Sequence, residues 1–155
     1  MGRENGVPND LTLRYRWCEG SVPPPDHYEY AIEIGHGGGK IEFCPDYPAD
    51  GVPVWEEAFE ISAGELESVY RLLVAKRILR ERWTEIEDSP VGGSMEWMEI
   101  MARGRYFRVP ALVEESSEVG EVYGVIRGLV PEDVWNKMME RYEGYRESGG
   151  DSGLQ

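Results

Sequence analysis

Two histidines and two cysteines occur in this 155-residue chain, and their spacing limits the chemistry they could share. His27 and His36 lie nine residues apart, at either end of one alternating segment. An extended strand rises ~3.3 Å per residue, so the two imidazoles should stand roughly 30 Å apart. At that separation they cannot hold one metal ion or act as one acid–base pair. His27 follows Asp26, and the two are candidates to line a cleft as an imidazole–carboxylate pair. Cys18 and Cys44 form no Cys-x-x-Cys pair and have no histidine at metal spacing. The opening residues lack the apolar stretch of a secretory signal, so the expectation is a cytoplasmic protein with two free thiols.

Several short motifs resemble catalytic ones and fail on context. His36-Gly37-Gly38-Gly39 copies the oxyanion loop of lipases, whose glycine amides turn toward a developing negative charge. No Gly-x-Ser-x-Gly elbow accompanies it: Gly93-Ser94 meets Glu96 where the final glycine belongs. The same stretch ends in Gly39-Lys40, as a phosphate-binding loop does. Ile34 holds the place of its first glycine, and a strand follows where a helix N-terminus is needed. Gly150-Asp151-Ser152-Gly153 resembles the nucleophile segment of chymotrypsin-like proteases, with only two residues after it. All three are read as turns or tail, and no catalytic residue, cofactor or metal ligand is assigned.

Lys76, Arg77, Arg80 and Arg82 form the one dense basic cluster, a candidate contact for an anion or a partner. Cations gather equally well where a helix C-terminus carries partial negative charge, at about 0.3–1 kcal/mol each. Carboxylate pairs such as Glu56-Glu57 and Glu114-Glu115 are expected by number alone among thirty acids. A glycosidase would need two of them roughly 5–9.5 Å apart across a cleft, which spacing in sequence does not establish.

The elements that must position these groups follow from periodicity. Residues 11–17 alternate strictly, with Leu11, Leu13, Tyr15 and Trp17 on one side and Arg14 and Arg16 on the other. Residues 28–34 and 40–44 alternate around the glycine run and make a hairpin, with Glu29, Glu33 and Glu42 outward. Arg14 and Arg16 complement those acids, which predicts that the first strand pairs with the hairpin. A fourth strand spans 54–61. Ser62-Ala63-Gly64-Glu65 is a capping box opening a helix with Leu66, Val69, Tyr70 and Leu73 inward. Continuing that stripe would bury Lys76, Arg77 and Arg80, so the helix must stop near Lys76–Arg77, with Ile78 and Leu79 as a separate anchor. Residues 94–101 are apolar on both sides, Met95, Trp97 and Met101 opposite Met98 and Ile100, the pattern of a central strand. Residues 106–109 return as its hairpin partner, after a turn at 102–105. Helices over 117–129 and from Pro131 onward complete the chain. Pro23-Pro24-Pro25 and residues 88–93 are read as loops.

Strands followed by helices predict an α+β domain over 11–147, between flexible ends at 1–10 and 148–155. Its mainly antiparallel sheet should have about six strands in two hairpins, with two to three helices on one face. Five Trp and nine Tyr supply a core and argue against disorder, and no apolar run reaches the ~20 residues of a membrane span. Sixteen basic residues against thirty acidic ones give a net charge of −14. That charge repels phosphates, so no nucleic-acid or membrane binding is expected. The expectation for function is a non-catalytic acidic binding module for a protein partner or small ligand. The alternative is a small hydrolase-like enzyme using carboxylates in a cleft beside the 18–27 or 45–53 loop.

Overall fold

The computed structural model describes residues 6–20, 27–86 and 94–148. Pro23 to Pro25, Asp26, the turn at 88–93 and the Gly150–Gly153 segment lie outside them.

Six strands form one sheet: β1 (Thr12–Cys18), β2 (Glu29–Gly35), β3 (Gly38–Cys44), β4 (Trp55–Phe59), β5 (Met95–Ala102) and β6 (Arg105–Val109). Their order is β4-β3-β2-β1-β5-β6, and every neighbouring pair is antiparallel. Three helices accompany it: α1 (Ala63–Ala75), α2 (Ser116–Leu129) and α3 (Glu132–Glu147). The fold is therefore α+β with two hairpins, β2–β3 and β5–β6.

Alternation assigns each strand residue to a face. Leu13, Tyr15, Ile32, Ile34, Ile41, Phe43, Met98, Ile100 and Val109 point inward and are buried. Leu66, Val69 and Leu73 of α1, Val122 and Ile126 of α2, and Met138 and Tyr142 of α3 join them in one core cluster. The other face of the sheet has no helix among the described residues.

Helix α1 ends where its stripe would have buried cations. Ser62 and Glu65 close the capping box at its start, with Ser62 Oγ accepting the Glu65 N–H at 3.0 Å and Glu65 Oε1 accepting the Ser62 N–H at 2.9 Å. At its end Arg77 adopts the left-handed region at φ +57°. The Arg77 N–H then donates to the Val74 carbonyl at 3.1 Å and the Ile78 N–H to the Leu73 carbonyl at 2.8 Å. This is the Schellman arrangement, with arginine where glycine is usual. It throws Lys76 and Arg77 off the stripe and returns a fully buried Ile78 to the core.

The hairpins turn tightly. Arg103 and Gly104 both have positive φ, as a type I′ turn requires. Asp10 holds that turn from outside, its carboxylate accepting the Arg103 and Gly104 N–H groups at 2.7 Å each. Pro8, within the end read as flexible, is buried, and its carbonyl contacts His36 Nε2 at 2.7 Å. In β3, Gly39 leaves space filled by the Phe59 ring of β4: a Cβ there would lie 2.3 Å from Phe59 Cε1.

Strand β5 is interior to the sheet, as its two-sided apolar pattern predicts, and among the described residues only its inward face is covered; Met95 and Met101 are 38% and 39% exposed. One expectation changes. Pro131 is the N-cap of α3 rather than its first residue, and its carbonyl accepts the Val134 and Trp135 N–H groups. Its missing N–H costs nothing there, and its fixed φ suits either position.

Candidate functional site

The open face of the sheet is built from rows of side chains set by the strand register. One row runs Lys40, Glu33, Arg14, Glu99, Arg108 across five strands, alternating in sign at every step. Beside it lies Glu42, Ala31, Arg16, Trp97. Flanking these are the row Cys44, Glu29, Cys18, Met95 and the row Gly38, Gly35, Thr12, Met101, Tyr106. Arg14, Arg16, Lys40 and Arg108 stand against Glu29, Glu33, Glu42, Glu56 and Glu99. The face is thus within one charge of neutral in a chain of net −14.

Cross-strand complementarity holds for one arginine and not for the other. Arg14 donates to Glu42 Oε1 at 2.7 Å, and Lys40 stands 3.3 Å from Glu42 Oε2. These contacts, the Arg14 hydrogen bond foremost, hold the Glu42 carboxyl below its ordinary range. Arg16 is opposite Ala31 rather than an acid and makes no ion pair among the described residues. Ala31 is short, so a shallow depression of about 170 Å³ opens above it. Arg16, Trp97, Glu29, Glu42, Cys44, Pro48 and Val54 surround this space. It is close in size to a cavity that admits one benzene ring, ~150 Å³.

His27 closes the near end of the face. It is 2% exposed, its Nε2 lies 2.7 Å from Glu29 Oε2, and its ring stacks on Tyr47 with centroids 3.6 Å apart. Its Nδ1 has no hydrogen-bond partner among the described residues. Asp26, the carboxylate expected beside it, lies outside the described residues. Among the described residues its partner is Glu29, two residues on and on the same side of β2.

The cysteines are free. Both flank Glu29 in one row, two strands apart, so their Cα atoms are separated by about 10 Å. A disulfide needs about 4.4–6.8 Å. Burial pushes both thiols up from their ordinary range, which keeps them protonated and weakly nucleophilic at neutral pH. No group of three or more His, Cys, Asp or Glu side chains is placed to hold a metal ion among the described residues.

The basic cluster lies elsewhere, past the end of α1. Lys76 Nζ is 2.9 Å from Glu121, and Arg80 Nη1 is 3.3 Å from Glu115, with its guanidinium 4.2 Å from the Trp83 ring centroid. Arg77 forms the helix terminus, and Arg82 is exposed without an ion pair among the described residues. Arg105 of the last hairpin reaches Glu81. The structure thus brings the hairpin beside the cluster and interleaves acids between the cations.

One polar constellation escaped the sequence reading. Tyr15, fully buried in β1, donates its hydroxyl hydrogen to Glu96 of β5 and accepts from Arg127 of α2 at 2.7 Å. Arg127 also contacts Glu96 at 3.1 Å. Burial, then the Glu96 hydrogen bond, drives the Tyr15 phenol far above its ordinary range, so it remains a hydroxyl donor. The signal was present: Glu96 shares parity with Met98 and Ile100, which makes it the inward-pointing acid on an otherwise apolar face. Glu57 is a parallel case, inward on edge strand β4 and met by Lys137 and Arg141 of α3.

No family model matches the chain, and comparison with curated proteins finds no match. No helix among the described residues is long and apolar enough to cross a membrane.

Proposed function

We propose that this chain is a non-catalytic protein-binding module that docks through the open face of its sheet. The carrying observation is the combination found there. Met95 and Met101 are exposed, Tyr106 is 58% exposed and Val54 56% exposed, around Trp97 and Arg16, which has no ion pair among the described residues. Trp, Tyr, Met and Arg are the residue types that supply binding energy at protein interfaces. The near-neutral charge of this face separates it from the strongly acidic remainder. A depression sized for one ring suits an anchoring side chain better than a drug-sized ligand, which occupies ~300–1,000 Å³.

The enzymatic alternative draws less support from the same place. The depression does lie beside the 45–53 loop, through Pro48, and contains the carboxylates Glu29 and Glu42. Glu42, however, is held ionised by Arg14 and Lys40, which is the wrong direction for a general acid.

Paired capture experiments test the reading. Proteins from the native cell retained on the wild-type chain should be lost on a Trp97→Asp variant and kept on a helix-face control, Glu140→Lys. Retention unaffected by Trp97→Asp overturns it.

A further inference from the structure

We infer that the occupant of the open face is a second copy of this chain, related by a two-fold axis that runs parallel to the strands between β1 and β2. This rests on the reading of the face as a docking surface and specifies the partner. Such an axis reverses each row onto itself, placing β1 over β2 and β5 over β3. A row that alternates in sign becomes self-complementary when reversed about a midpoint between strands. Arg14 then faces Glu33 of the second copy, and Glu99 faces its Lys40. An axis running across the strands would instead set this row on itself with like charges opposed.

The other rows fit under the same operation. Arg16, which lacks an ion-pair partner among the described residues, is carried over Ala31 of the second copy, into the depression rimmed by Glu29 and Glu42. Met101 comes to Gly38, so bulk on the β5 side meets low relief on the β3 side. Isologous two-fold contacts require this kind of self-complementarity. Two sheets packed face to face rotate by about 30°. Lys40 and Glu99 sit about 7 Å from the axis, so that rotation moves them by only a few ångströms, within reach of long side chains. Six strands about 4.8 Å apart and roughly seven residues long present about 650 Å² per copy. Two copies bury about 1,300 Å², inside the ~1,200–2,000 Å² of stable interfaces.

Each copy carries −14, so the pair repels at long range and salt should help it form. Sedimentation of the full chain, at ~1–100 µM and at 0.05 and 0.3 M salt, should show a dimer that tightens as salt rises. Lys40→Glu and Glu99→Lys should each weaken dimerisation at least tenfold, because each sets like charges against the second copy. An equimolar mixture of the two variants should recover it as a heterodimer, since every such contact is then of opposite sign. Lys40 and Glu99 are three strands apart within one chain, so the recovery reports only contacts between copies. A monomer throughout, or a dimer indifferent to both variants, overturns the second copy as occupant. Oxidation of Met95 and Met101 in native extract separates the two claims. Protection of a monomeric chain in extract overturns the second copy alone, and a monomer without protection overturns the docking reading as well.

Discussion

Tyr15 is the residue through which β1, β5 and α2 meet in a polar contact inside the core. Its hydroxyl is shared by Glu96 and Arg127, both half-exposed, so those two groups can recover water if the hydroxyl is lost. Tyr15→Phe should therefore cost about 1.5–2 kcal/mol, the lower part of the range for hydrogen bonds to charged groups. Denaturant unfolding measures it. Asp10 offers a test by pH. Its hydrogen bonds from Gly104 and Arg103 lower its folded pKa below the ordinary 3.8. Its contribution is then present above the unfolded pKa and is lost as pH falls through the folded one. Melting temperatures of wild type and Asp10→Ala should differ at pH 7 and converge in acid. A constant difference across that range would remove Asp10 from the account. Most inward and outward assignments were legible at this scale, because strand parity needs only the identity of alternate residues. Glu96 and Glu57 were not, because a reading weighted toward apolar residues skips an acid whose partner comes from a distant helix.

At the scale of elements, the end of α1 was legible because burying unpaired cations is costly enough to decide a helix boundary. What the pattern did not reveal was the means, a left-handed Arg77. Arg77→Gly relieves that conformation and should stabilise the fold by up to about 1 kcal/mol, whereas Arg77→Val should destabilise it. Equal stability of all three would mean that the turn is not strained. The β3–β4 contact gives a second test. Gly39→Ala places a methyl group against the Phe59 ring and should cost about 1–3 kcal/mol. In a Phe59→Ala background, where the ring is gone, the same change should cost much less. The double-sided apolar pattern of β5 made its interior place in the sheet legible, but such a strand reads the same whether its second face meets its own chain or another molecule. The open face is where that ambiguity became visible.

Over the whole molecule, the charge of −14 avoids one surface, and that surface carries the exposed methionines, Tyr106 and the Ala31 depression. Net charge was plain in the sequence; its absence from one face was not, because it depends on which strands become neighbours. The alternating row from Lys40 to Arg108 draws on three separated segments of chain, β1 and the two hairpins, and exists only once β1 sits between β2 and β5. The central claim is that this face binds protein, and the rate at which Met95 and Met101 oxidise tests it most directly. Measured in native extract against buffer dilute enough to keep the chain monomeric, with half-buried Met139 of α3 as the internal reference, both rates should fall several-fold while that of Met139 holds steady. Equal rates for Met95 and Met101 in the two conditions, or protection confined to Met139, would contradict the claim.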